Sequence, residues 1–174
     1  MKNLKVLDVT LCALFAGLSA VLSQISIPIG AVPVNLTHVS IFVAAGLLGA
    51  KKGAISQIVF VLLGVIGIPV FSGFTGGIGK IVGPTGGFII GYIACAFIAG
   101  IIINRFGKSI PVLLLAMYSG WIVTYILGSA WYMFVSGTSN VTAVLTVCVL
   151  PFLLGDSLKT ILSVVLVNRL KDVY

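Results

Sequence analysis

The chain has 174 residues, 60% of them hydrophobic and only 7% charged, where a soluble domain carries about a quarter charged residues. Water could not hide that much apolar surface, whereas a bilayer accepts it and asks only that backbone groups be paired internally. The net charge of +7 would suggest a nucleic-acid partner only if the basic residues formed a patch, and they stand instead at the ends of apolar runs.

Judged against the roughly 20 residues needed to cross a bilayer, the runs predict an all-α, polytopic membrane protein. Six transmembrane helices are expected near 7–25, 36–50, 53–70, 87–104, 109–132 and 141–168, in a single integral membrane domain over 1–174. Lys2 and Lys5 precede the first span and Lys51 and Lys52 join the second to the third. Arg105 and Lys108 join the fourth to the fifth, and Arg169 and Lys171 follow the sixth. The opposite connections carry Lys80 alone. Because Lys and Arg gather in short cytoplasmic connections, both termini are expected in the cytoplasm, and the same topology accounts for the basic charge without a nucleic acid. The start of the chain could mimic a secretory signal, but it lacks a persuasive cleavage site and further spans follow, so it reads as the first helix. No connection is long enough for a nucleotide-binding module, and an ATPase, if one is used, is expected on another chain.

Along the first run, Ala13, Ala16, Gly17 and Ala20 recur at spacings of three and four. Small residues at that spacing let a second helix approach closely in lipid, and the second helix could be internal or belong to another subunit. The segment from Gln24 to His38 contains Pro28, Gly30 and Pro33; it cannot be helical throughout and is expected to fold back over the outer mouth as a lid. Gln24, Asn35 and Thr37 offer uncharged hydrogen bonds there, while His38 reads as a capping or packing residue rather than a metal ligand.

The connection from Gly64 to Gly87 is dense in glycine, which permits positive backbone angles and close approach to a ligand. Phe71 and Phe74 give it apolar faces. Lys80, the only outward cation, would suit the carboxylate of a ligand arriving from outside. This is not a phosphate cradle, because Gly79-Lys80 runs into Ile81 rather than Ser or Thr.

Charges inside spans are expensive and mark function. Asp156 and Lys159, three residues apart in the last run, share a helix face and can partly neutralise each other. Counting back from Arg169 at ~1.5 Å per residue puts Asp156 about 20 Å from the cytoplasmic end, in the outer half. A carboxylate accepts and an ammonium donates, so the pair suits a small molecule with N–H donors beside a carbonyl or carboxylate. Cys12, Cys95 and Cys148 are isolated in apolar stretches and read as buried thiols. Three acidic residues and one histidine leave little material for a catalytic site, so neither an enzyme nor a metal or cofactor is expected. A channel would need a polar stripe along several helices rather than one charged pair.

Three stretches together resemble the BioY family, the biotin-specific S components of energy-coupling factor (ECF) transporters: Gln24-Ile25-Ser26-Ile27-Pro28 to Val34, Gly67 to Gly77 with Gly83-Pro84-Thr85-Gly86-Gly87-Phe88, and Gly155-Asp156-Ser157-Leu158-Lys159. The resemblance covers nearly the whole chain, and the glycine-rich stretch is its most specific part. It implies a six-helix subunit of the cell membrane, in bacteria the plasma membrane, that takes biotin from outside and delivers it through a T component and two ATPases. The face around Ala16 and Ala20 looks like the motif by which such subunits dock on the T component. By the same resemblance Asp156 would accept from the ureido N–H groups and Lys159 would donate to the ureido carbonyl. The valerate carboxylate would fall near Thr75 and Lys80. Many relatives read Thr-Leu-Gln after the second proline, where this chain reads Asn35-Leu36-Thr37. That departure keeps a related carboxylated vitamin, such as lipoate, as the alternative ligand; a non-enzymatic membrane channel is the separate alternative function.

Overall fold

The apolar runs fold as helices, and the breaks between them fall where glycine and proline deny the backbone a helical continuation. A computed structural model describes residues 6–28 and 32–171. In chain order the elements are α1 (Val6–Gln24), β1 (Ser26–Ile27), β2 (Val34–Asn35), α2 (Thr37–Val65), α3 (Ile78–Val82), α4 (Gly86–Phe106), α5 (Ile110–Ser136), α6 (Val141–Cys148) and α7 (Leu153–Leu170). Four helices, α1, α2, α4 and α5, are long and apolar enough to cross a membrane, and α6 with α7 makes a fifth if that pair, bent by 48°, is one span. Lys2, Lys5 and Asp172 lie outside the described residues.

The second and third expected spans form the single element α2, but it is not one rod. Gly49 interrupts it at φ 79°, ψ −177°, a conformation open essentially to glycine alone. A Cβ placed on Gly53 would lie 3.1 Å from the Ala45 Cα, where a straight helix would separate the two residues by about 12 Å. Ser19 Oγ likewise lies 3.0 Å from Ser40 Oγ and 3.3 Å from Gln57 Oε1. The element therefore doubles back at Gly49, two residues before the Lys51-Lys52 pair at which the chain was expected to turn.

The last expected span is broken too. Pro151 lacks the N–H that would continue the ladder, so α6 stops at Cys148 and α7 restarts at Leu153. Asp156 consequently lies in the first turn of α7, at the positive end of a helix dipole. The lid adds the only strands described, Ser26 facing Asn35 and Ile27 facing Val34 in antiparallel register, so the fold is helical apart from this small hairpin.

The surface and the interior trade roles relative to a soluble protein. Leu14, Val21, Leu62, Ile101, Ile122, Leu158 and Ile161 are exposed on five helices, whereas Ser19, Ser40, Ser56, Gln57, Thr160 and Ser163 are fully buried. Hydrocarbon solvates the first set; the second is satisfied partly between helices, as where Ser19 meets Ser40 and Gln57, and partly by carbonyls of the same helix, as at Ser56 and Ser163. One end of the bundle is basic: Lys52 pairs with Asp8 at 2.6 Å, Gly49 abuts Asn104 beside Arg105, and Gly46 abuts Val167 beside Arg169. The hairpin and the glycine-rich connection lie at the opposite end.

Candidate functional site

Beneath the hairpin lies a cavity of two lobes. One has about 550 Å³ of non-atom space and the other about 360 Å³, the open solvent at their mouths included in both. Val32, Pro33, Asn35, Phe88 and Tyr92 line both, so the hairpin roofs the waist between them.

The smaller lobe holds the buried charges. Lys159 Nζ donates to Asp156 Oδ1 at 2.7 Å, with the two side chains 7% and 5% exposed. The Tyr125 hydroxyl donates to the other carboxylate oxygen. Lys159 also sits 5.5 Å above the Trp121 ring, a cation–π contact that helps hold the ammonium away from water. Trp121 is fixed in turn: its indole N–H donates to Thr160 Oγ1 at 3.0 Å, and its ring stacks with His38 at 3.8 Å and with Tyr125 at 5.7 Å. One end of the cavity thus presents a carboxylate and an ammonium, each with hydrogen-bonding capacity left over, against an aromatic wall.

The larger lobe reaches Ser72, Thr75, Lys80 and Thr85. Its floor is set by Phe71, whose ring meets Phe60 edge-on at 5.6 Å and fills the notch at Gly64, where a Cβ would come within 2.0 Å of the Phe71 ring. Lys80, in the short helix α3, makes no ion pair among the described residues. The cavity therefore has a charged pair at one end and a single cation at the other.

The family model described as the BioY family matches residues 1–174. The chain belongs to the BioY family. Among its relatives, a Pyrococcus horikoshii protein named Probable biotin transporter BioY is 38% identical over 97% of this chain and 98% of its own length. The Thermotoga maritima biotin transporter BioY is 34% identical over 91% of this chain and 92% of its own. A crystal structure of the S-component for biotin from an ECF-type ABC transporter superposes with a TM-score of 0.87 at 33% identity, covering 99% of this chain and 94% of the other.

In this BioY chain, Asp156 and Lys159 line one lobe, Phe71, Thr75, Thr37 and Lys80 line the other, and Asn35 lines both. Phe74 does not join them. It is 73% exposed at φ 55°, on the tip of a turn closed by the Phe71–Thr75 bridge, which aims its ring away from the cavity. Asn35 has its polar groups engaged within the protein: Nδ2 donates to Ser72 Oγ at 2.7 Å, and Oδ1 accepts from the Thr37 amide at 3.1 Å, an Asx turn that starts α2. Gln24 serves the loop rather than the cavity. It donates to the Val70 and Phe71 carbonyls at 3.1 and 3.2 Å and accepts from the Phe74 amide at 2.8 Å. On α1, Ala16 is 1% exposed and packs into the core with Cys12 and Phe15. Ala13 and Gly17 face outward and Ala20 lies at the margin, so the small-residue face divides between the bundle and its surroundings.

The aromatic wall escaped the sequence reading. Phe88 and Tyr92, and Trp121 and Tyr125, are pairs four residues apart, which puts each pair on one helix face. Phe97 and Tyr118 look no different in sequence and are 43% exposed, so spacing alone could not have separated wall from surface.

Proposed function

We propose that this chain is the biotin-capturing S component of an ECF-type uptake transporter. In this reading it crosses the cell membrane six times with both termini in the cytoplasm, the two limbs of α2 counting separately and α6 with α7 together. Biotin enters from outside beneath the hairpin, and a T component with two ATPases drives its release inward.

The observation that carries this reading is the polarity of the cavity. Biotin has a cyclic urea at one end and a carboxylate at the other, and the cavity offers Asp156 with Lys159 at one end and Lys80 at the other. Asp156 accepts from a ureido N–H and Lys159 donates to the ureido carbonyl, charge-assisted bonds formed out of water. Lys80, Thr75 and the neighbouring glycine-rich backbone take the valerate carboxylate, and the aromatic wall covers the apolar ring edge. Docking on the T component uses the outward part of α1, with Ala13 and Gly17 at its centre and Ala20 at its edge.

A second ligand is favoured by one detail. Thr37 Oγ1 is buried against the larger lobe with no hydrogen-bond partner, and a carboxylated vitamin that places a polar group there, in the manner of lipoate, would use it. Equilibrium binding by calorimetry to detergent-purified protein, with lipoate and thiamine as controls, separates the two: saturable binding of biotin alone, near one per chain, is expected. Binding of lipoate in preference to biotin would replace the assignment.

A further inference from the structure

His38 is a fixed polar side chain of the cavity that the capture scheme leaves unused. It is 5% exposed, and its Nε2 has neither solvent nor a hydrogen-bond partner. The ring is held by its stack on Trp121 at 3.8 Å and by Tyr92, edge-on at 5.0 Å and 88°, so the fold decides where Nε2 points. It lines the lobe that contains Asp156 and Lys159. Buried polar atoms are almost always partnered, and a lone one in a ligand lobe is a contact waiting for its ligand.

We infer that His38 Nε2 accepts the second ureido N–H of biotin, on the far side of the ring carbonyl from Asp156. The inference rests on the biotin reading above. In a cyclic urea the two N–H bonds diverge to opposite sides of the carbonyl. A single carboxylate meets one of them, Lys159 meets the carbonyl, and the other N–H needs an acceptor elsewhere. Tyr125 and Thr124 line the same lobe and spend their hydroxyl protons on Asp156 and on the Gly120 carbonyl, and Asn35 is tied to Ser72 and the Thr37 amide; each of these is already anchored by a bond within the protein, whereas His38 Nε2 has none. A neutral imidazole with its proton on Nδ1 leaves Nε2 free to accept. His38, read from sequence as a capping or packing residue, becomes a specificity-determining one, because a ring lacking that N–H leaves Nε2 unpaired.

The test measures Kd for biotin and for its two mono-N-methyl ureido analogues on the wild-type chain and on His38→Phe, His38→Gln and Tyr92→Phe. Phe keeps the stack and removes the nitrogen, while Gln keeps an acceptor at similar reach. His38→Phe is expected to weaken biotin about tenfold, the scale of one hydrogen bond in a buried site, and His38→Gln to recover most of that. One analogue is expected to bind the wild-type chain weakly and to lose nothing further in His38→Phe. Equal losses for biotin and both analogues would make His38 a packing residue, and an analogue whose loss merges with Tyr92→Phe instead would move the acceptor to Tyr92. Either result overturns the inference while biotin binding by the wild-type chain keeps the parent reading intact. A wild-type chain that binds no biotin removes both.

Discussion

Replacing Asp156 by Asn keeps the shape of the side chain and removes its charge, and the structure sets two separate costs. The first falls on the ligand: losing a charge-assisted hydrogen bond costs about 1.5–3 kcal/mol, which raises Kd about 10- to 150-fold. The second falls on the fold. Lys159, 7% exposed and 2.7 Å from Asp156, is left as an uncompensated buried ammonium, and breaking such a pair from one side costs about 3–5 kcal/mol. A triple variant, Asp156→Leu, Lys159→Met and Tyr125→Phe, removes the carboxylate and both of its side-chain donors at once and strands none of them. Thermal unfolding in detergent should therefore show a fall in Tm for Asp156→Asn and a recovery for the triple variant, while calorimetry shows biotin binding lost in the triple variant. If the triple variant is stable and still binds biotin with wild-type affinity, the pair only holds helices together and the site assignment fails.

Lys80→Gln should weaken biotin about three- to tenfold, a modest effect because the side chain is only half-buried. The same substitution should leave biotinamide, which has no carboxylate, unaffected in calorimetry. Gln24→Leu removes the ties to the Val70 and Phe71 carbonyls and the Phe74 amide; stopped-flow kinetics should show biotin leaving about tenfold faster with little change in association. Gly17→Leu should fold normally, since nothing lies within 4 Å of a Cβ built there, and should bind biotin yet abolish uptake in cells that carry the module. Ala16→Leu, at a position 1% exposed, should lower Tm by overpacking the core. Intact uptake with Gly17→Leu would remove the docking face from this side of α1.

Asp156 and Lys159 were legible in the sequence because charge inside apolar runs is costly, and Lys80 because it is the one cation of the outward connections. The glycine-rich connection was legible for a similar reason, since no membrane helix needs so many glycines. The roles of Gln24 and Asn35 were not legible, because an amide side chain looks the same whether it serves a ligand or the loop beside it. Their partners, Val70, Phe71 and Ser72, lie more than thirty residues away in the chain.

By itself, then, the sequence determined the solvent, the helical class and the residues too polar to be there without a purpose, all of which depend on composition and short-range spacing. The tertiary structure decided what depends on which face meets which. It turned Phe74 outward and Ala16 inward, brought His38 onto Trp121, folded α2 back at Gly49, and broke the last run at Pro151 so that Asp156 begins a helix. Local periodicity fixes a residue's direction only relative to its own helix axis; the rotation of each helix against its neighbours is set by close packing across the bundle, where notches such as Gly64 receive rings such as Phe71.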